Sequence, residues 1–527
     1  MERKHPTTEE HDWPIPDEAD IDMGRLKEIL RKADPLVGVG PRGMHSEYLK
    51  VLVTGRMMCA ESSAAFELFS NLGSAYLGAH MPPWLRRRLG AGCLTALCKK
   101  AMVPGEVPDA RPVKAEDFDC SAWTKAAQQL HTPAVMDIVT PQQLGVGVSG
   151  GVEVKVWGLK LWYEKNMALG SRAVAVALDI SNAHNTFDRA ASIEALSSFA
   201  DADGGLRSLP RAWHALTFQK NPIFVRDIDA ANGWSYLCES AAGGGQGNPL
   251  TGIAFVAMID APLKGIEEKF KVEIRAIQDD MTMMGDPEQI FGPDKALESL
   301  LELLAKMNLS PNRVKFQCIG TTDDALDNAP DWLIFDEETG ERRGGIELRN
   351  PETGEVVLNE ETGLSEKVYG AQVCGAPIGS DPFERSWLAA KAGEICSSIY
   401  KTTTVLSFRS AQAAHSVTYY SSLSLADFVA ATNRPSQTAF FRAKIDVALR
   451  DAYATVVGVD VLDPSGHDVN LHEDPTFTRD LFGLKINQGG GGFRPYSERI
   501  NFLNCMNNIL PQMLDMVPKE GDTKKGL

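Results

Sequence analysis

At 527 residues and 43% hydrophobic content, the chain exceeds the size at which a single core stops growing, so two or three domains are expected. Nine cysteines fall singly, with no CxxC pair and no His-rich cluster, which excludes a structural zinc site and reads as reduced, intracellular thiols. The net charge of −17 by itself opposes a nucleic-acid partner. Asp323 to Lys367, however, holds fourteen acids against four bases, −10 of that total, leaving −7 elsewhere and room for basic surfaces at Arg86, Arg87, Arg88, Lys99 and Lys100.

In chain order, residues 1–24 read as a flexible polar arm, without the apolar stretch of a targeting signal. No later run approaches the ~18 apolar residues of a spanning helix, so an intracellular protein without a membrane partner is expected, nucleus and cytoplasm being indistinguishable. Residues 25–135 carry mostly helical patterns, as in "SEYLKVLVTGRMMCAESSAAFELFSNL". The arginine run beside Trp84 reads as a solvated helix face or a contact to nucleic-acid backbone. Over 136–382 the texture changes. "RAVAVALDI", "PIFVRDI", "VEIRAI" and "MTMMG" are short β-type runs between turns and helices, which predicts a mixed sheet covered by helices. "DKALESLLELLAKMN" places Leu297, Leu300, Leu301 and Leu304 on one face of a helix that packs on an apolar surface. Within about 321–368 the triplet "ETG" recurs at Glu338, Glu352 and Glu361, which predicts an acidic insertion of exposed hairpins. Helical patterns return over 383–458, and 459–527 form a C-terminal extension with a Gly-rich stretch.

Three pieces could carry chemistry. Asp179 follows the apolar run Ala173 to Leu178, where a strand leaving a sheet presents a carboxylate at its edge. "GGGQGNPLTGIAFVAMI", from Gly243, is a glycine loop carrying Gln246 that runs into an apolar helix. Asp279 and Asp280 fall between two β-type runs, at a hairpin tip. Each has a plain alternative, an aspartate after a strand as a cap and a pair in a turn as solvated charge. Together, three carboxylates facing one another repel unless a cation lies between them, and hard divalent ions favour oxygen ligands. Two such ions can activate a hydroxyl and steady a leaving oxygen, which describes nucleotidyl transfer.

In this order the segments "ALDISNAHNTFDR", "GQGNPLTGIAF" and "IQDDMTMMG" resemble the palm of reverse transcriptases, most closely those of non-LTR retrotransposons. "SPNRVKFQCIG" and "VCGAPIGSDPF" are similar to the motifs that follow. "LCKKAMVPGEVPDARPVKAEDF" looks like the fingers segment facing the triphosphate, "GPRGMHSEYLKVL" resembles the opening of such fingers, and "INQGGGGFRPYSERI" a stretch beyond the thumb. The resemblance covers roughly residues 38–505. It implies an α+β right-hand polymerase with helical fingers, a mixed palm sheet covered by helices and a helical thumb. It further implies an RNA template, a DNA or RNA primer, deoxynucleoside triphosphates and two Mg²⁺ ions, Mn²⁺ being the alternative; it leaves the oligomeric state open.

By the same resemblance, Asp179, Asp279 and Asp280 are the metal-site acids, with the Ile180 carbonyl an additional ligand. Gln246 and Gly247 line the nucleotide, Lys99 or Lys100 and Arg111 face the triphosphate, and Lys315 lies near the leaving pyrophosphate or is simply a solvated lysine. Two positions depart from the pattern: Gln278 precedes the acid pair where relatives place Ala, and His184 stands where relatives carry the Phe or Tyr that excludes a 2′-hydroxyl. His184 is therefore either a weakened sugar gate or a packing residue. RNA-dependent RNA polymerases usually carry a second aspartate five residues after the first; here that residue is His184, which favours reverse transcription. Asn182 and Asn185 read as helix caps, and Asp188 with Arg189 as a helix-surface pair. The competing expectation is a catalytically inactive, nucleic-acid-binding or scaffold protein derived from such an enzyme.

Overall fold

The computed structural model describes residues 21–35, 40–54, 60–98, 110–227, 229–230 and 233–457. Lys99, Lys100 and the 459–527 extension lie outside them. The fold is α+β, and the chain divides into two compact units. The first comprises Met1–Val148, Leu178–Met283 and Glu288–Lys315; the second comprises Ser149–Ala177, Met284–Pro287 and Phe316–Leu527.

The first unit is organised around the helix Pro249–Phe270. Asn248 caps it, its side chain accepting from the Leu250 N–H at 3.0 Å, and Pro249 takes the first helical position, where a missing N–H costs nothing. Ile253 to Ile259 are all buried, because the helices Phe118–Val139, Arg189–Ala202 and Ala296–Lys306 pack around it. Leu297, Leu300, Leu301 and Leu304 form the buried face of the last of these. The expectation from sequence is that no run is apolar enough to span a membrane. By length and composition alone the Pro249–Phe270 helix is such a run, and 67% of its apolar window is buried inside the protein, as in a core helix.

The region read as mostly helical also contains strands. Ala110–Glu116 and Gly92–Cys98 pair antiparallel, and Gly92 and Cys93 pair in parallel with Ile223 and Phe224 of the strand Asn221–Arg226. Trp234–Ser240 completes a four-stranded sheet. Leu, Ala and Cys in "GCLTALC" carry little β preference of their own, so pairing decides the state, along the whole strand with Ala110–Glu116 and at Gly92 and Cys93 with Asn221–Arg226. A further pair of neighbouring strands, Glu273–Ile277 and Asp280–Gly285, is joined by the turn Gln278–Asp279.

In the second unit the strand Val174–Leu178, through Ala177, pairs antiparallel with Gln317–Gly320. Val156, Leu159 and Tyr163 of the helix Gly151–Leu169 share a buried cluster with Ala175, Ile319, Val373 and Ile378. The long helices Asp381–Ser407 and Ala439–Val457 meet through Trp387, Ile395, Ile399, Phe441, Ile445 and Leu449.

The acidic segment of this unit is a repeat of one turn. Asp336, Asn350 and Asn359 each accept, through Oδ1, from the N–H groups two and three residues on, and Gly340, Gly354 and Gly363 close the turns with φ near +70°. The pattern is Asp or Asn, any residue, then Glu-Thr-Gly, so the side-chain oxygen substitutes for a backbone acceptor and glycine takes the left-handed position. Backbone bonds then link positions nine apart: the Val357 N–H donates to Leu348 O (2.9 Å) and the Glu366 N–H to Val357 O (3.3 Å). The Leu348 N–H returns to Glu366 O (2.7 Å).

Candidate nucleotide and acid site

Every described residue expected at the site belongs to the first unit. Asp179 follows the strand Val174–Leu178 directly, and its backbone carbonyl accepts from the Asn312 N–H (2.8 Å). Ile180 is buried and pairs antiparallel with Pro311, which fixes the main chain on both sides of the acid. The Asp179 carboxylate is half-buried, and its Oδ2 accepts from Lys315 Nζ at 3.1 Å. Lys315 thus meets Asp179 itself rather than standing as an isolated surface lysine.

The acid pair sits on the turn between neighbouring strands. Gln278 takes a left-handed φ of +55°, unusual for a side chain of its size. Its backbone is held from both sides by one fully buried amide. The Gln278 N–H donates to Gln143 Oε1 (2.9 Å), and Gln143 Nε2 donates to Gln278 O (2.9 Å). The departure at Gln278 is therefore built into the fold, since Gly145 and Gly252 leave it room: a Cβ on either would come within about 3 Å of Gln278 atoms. Asp279 is half-buried in the turn, and Asp280 is exposed at the start of the next strand. Replacing Gln143 by leucine keeps the size but strips both partners from the turn, and we expect it to lower stability by about 1–3 kcal/mol. An unchanged denaturation midpoint would contradict this.

The glycine loop is stitched to the segment that bears Asp179. The Gly244 N–H donates to His184 O (2.9 Å) and the Gly243 N–H to Phe187 O (3.0 Å). Gly243 has φ +56°, and a Cβ there would lie 2.4 Å from the His184 carbonyl oxygen, so only glycine permits this approach. The Gln246 N–H donates to Asn185 Oδ1 (3.0 Å), and Gln246 O accepts from the Lys114 N–H (2.9 Å) on the strand Ala110–Glu116. Lys114 is buried, its Nζ donating to Glu116 Oε1 and Gly90 O, both at 2.8 Å. Gly247 is exposed, and a Cβ on it would meet Lys114 O at 2.7 Å.

His184 is half-buried and packs edge-on to Phe255 with ring centroids 5.3 Å apart. Its Nε2 is shielded from solvent and makes no hydrogen bond among the described residues. Arg111 is exposed opposite Leu97 in the strand pair, with no hydrogen bond or ion pair to Asp179 or Gln246 among the described residues.

Three sequence expectations are corrected here. Arg189 is not on a helix surface with Asp188. It is buried and donates from Nε to Gly243 O (2.7 Å), from one terminal nitrogen to Thr217 O (3.1 Å) and from the other to Ser240 Oγ and Ala242 O. Asp188 instead caps the following helix through the Ala191 N–H. Asn185 does not cap a helix, because its oxygen is used by Gln246. Arg86 is also buried, its Nε on Met81 O and its guanidinium over the Phe218 ring, so the arginine run is not one solvated face. Gln143, Lys114 and Arg189 were missed as site supports, since nothing in a single polar residue announces a partner 54 to 135 positions away.

The donor chemistry of Asp179, Asp279 and Asp280, all carboxylate, suits a hard divalent cation. Their arrangement does not gather them: among the described residues, no three His, Cys, Asp or Glu side chains form a group able to hold a metal ion.

No protein-family model matches the sequence, and no curated protein does. Among solved structures, the chain is similar to apo telomerase from Candida tropicalis truncated from its C-terminal domain, with TM-score 0.31 and 10% identity over 48% of this chain and 55% of that one. It is also similar to an insertion-loop deletion mutant of the RNA-dependent RNA polymerase of a human picorbirnavirus, with TM-score 0.31 and 14% identity over 44% of this chain and 42% of that one. The matched part spans about half the length of either chain.

Proposed function

We propose that the chain is an RNA-directed DNA polymerase of the non-LTR retrotransposon type, extending a primer 3′-end on an RNA template with deoxynucleoside triphosphates. The supporting observation is the attachment of the Gly243–Gly247 loop to the segment 184–187, which starts five residues beyond Asp179, by two backbone–backbone bonds and one bond to the Asn185 side chain. A glycine loop pinned beside a strand-end carboxylate can seat a nucleotide and keep its reacting phosphate near that acid, and phosphoryl transfer depends chiefly on such positioning. In this reading Gln246 and Gly247 contact the nucleotide, the ring of His184 lies under the sugar, and Lys315 faces the departing pyrophosphate. This reading assigns Asp179, Asp279 and Asp280, with the Ile180 carbonyl, to Mg²⁺, which would neutralise phosphoryl charge; because among the described residues the three carboxylates are not gathered as a ligand group, the assignment requires them to close on the ion. The first unit would supply fingers and part of the palm, and the helices after Asp381 the thumb.

A second reading, a non-catalytic nucleic-acid-binding protein, is favoured by two observations: Asp179 is engaged by Lys315, and among the described residues the three acids do not form a ligand group. Primer extension on an RNA template separates the two. Incorporation of dNTPs that depends on Mg²⁺ or Mn²⁺ supports the polymerase; binding of primer–template without incorporation under either ion leaves the second reading standing. If His184 lies under the sugar, His184→Phe raises the dNTP to rNTP preference by roughly tenfold. An unchanged ratio makes it a packing residue.

A further inference from the structure

Arg189 is a buried guanidinium whose hydrogen-bond acceptors here are three backbone carbonyls and one hydroxyl. Burial alone pushes its pKa down to about 10, so it remains charged at neutral pH. Keeping a charge in such surroundings is costly unless it is hydrogen-bonded, and the fork geometry of arginine places four of its five N–H groups on acceptors here. Three of the four acceptors, Ser240 Oγ, Ala242 O and Gly243 O, lie on the stretch of chain that enters the glycine loop. Asn185, four residues before Arg189, receives the Gln246 N–H at the far end of the same loop. Both side chains arise from the segment that begins at Asp179.

We propose that Asn185 and Arg189 are positioning residues that lock the two ends of the Gly243–Gly247 loop onto the Asp179 segment and so set where a nucleotide at Gln246 sits relative to that acid. Glycine is what makes such a lock necessary. With left-handed φ values at Gly243, Gly245 and Gly247, the loop has little conformational preference of its own, and its shape must be imposed from outside. Arg189 grips the entrance through backbone carbonyls, which no substitution in the loop can remove. Asn185 reads one backbone N–H beside the residue assigned to the nucleotide.

This rests on the nucleotide-site reading, and the test keeps the two apart. The first arm is amide hydrogen exchange over residues 240–248, which needs no activity. Asn185→Leu removes the acceptor at similar size and should speed exchange at Gln246 by roughly tenfold. Asn185→Asp retains an acceptor oxygen and should leave exchange within about threefold of wild type. The second arm is equilibrium binding of a labelled dNTP to the protein on a dideoxy-terminated primer with RNA template, together with steady-state extension. Asn185→Leu should raise the dNTP KM by roughly tenfold with kcat changed far less, and Asn185→Asp should restore it, a split that general loosening of the fold does not produce. Arg189→Met should loosen the loop entrance at 240–243; should it not fold, the Asn185 pair still decides. Unchanged exchange in Asn185→Leu overturns the lock. Faster exchange with an unchanged KM overturns its role in placing the nucleotide. If the wild type binds no dNTP, the polymerase reading fails, while the exchange arm still judges the lock.

Discussion

If the chain is the proposed polymerase, replacing Asp179 by asparagine is expected to lower dNTP incorporation by on the order of 10³-fold, about 4 kcal/mol of transition-state stabilisation, while leaving the fold intact. The two halves of this expectation come from different parts of the residue. Its main chain is fixed by the Asn312 N–H and by the Ile180–Pro311 strand pair, neither of which involves the side chain. Asparagine has the same shape, so packing around the half-buried group survives. What disappears is one negative charge. In stability terms that charge contributes little, because its partner Lys315 is 60% exposed, and exposed ion pairs are worth roughly 0–1 kcal/mol. A large kinetic effect with a nearly unchanged melting temperature is therefore the signature of a functional carboxylate. Incorporation within tenfold of wild type would remove Asp179 from the chemistry.

The second large effect lies in the other unit. Lys160 and Glu384 form an ion pair at 3.0 Å with both side chains buried, and Lys160 Nζ also donates to Asn433 Oδ1 at 2.9 Å. Burial is the largest influence on each: it raises the Glu384 pKa and lowers that of Lys160, and their mutual attraction only partly offsets it. Glu384→Leu should therefore destabilise by about 3–5 kcal/mol, because it strands a buried ammonium, whereas Lys160→Met with Glu384→Leu should be near neutral or stabilising.

The pH dependence of the single variant follows from Lys160 alone. A lysine whose folded pKa is depressed contributes stability that is full above its unfolded pKa of 10.5 and is lost as pH falls through the folded value. The deficit of Glu384→Leu is accordingly largest near neutrality and shrinks on approaching pH 10.5. Chemical denaturation of the single and double variants at neutral and alkaline pH checks both statements. A double variant as unstable as the single one would show that the pair stabilises the unit on balance.

What could be read from the sequence follows the range of the interactions involved. The strands at Val174, Asn221, Glu273 and Asp280 and the leucine-faced helix at Ala296 were legible because alternation, apolar runs and helical spacing are local signals. The strands Gly92–Cys98 and Trp234–Ser240 were not, because their residues carry weak local β signals and their state is settled by pairing with Ala110–Glu116 and Asn221–Arg226. The same division runs through the site. Asp179, Gln246 and Asp279 stand out by type and spacing. Their supports do not: a glutamine at 143 or an arginine at 189 looks like any polar residue until the chain brings Gln278 or Gly243 to it. Arg189 was misjudged for a specific reason. Adjacent Asp188 and Arg189 suggest a surface pair, whereas consecutive positions on a helix point in different directions.

The turn repeat of the acidic segment has a consequence for how its length can change. Leu348, Val357 and Glu366 are joined head to tail, each N–H to the carbonyl nine residues before it, and the first closes onto the last. Excising residues 357–365 brings Glu366 into the place of Val357, so that its N–H meets Leu348 O while Leu348 N–H already meets Glu366 O. The ring of three bonds is then expected to become an ordinary reciprocal antiparallel pair that keeps two. Removing or adding any number other than nine breaks that register and leaves the closing groups unmatched. The segment is thus expected to tolerate loss of this one nine-residue turn, together with the two negative charges of Glu360 and Glu361, better than loss of any other length.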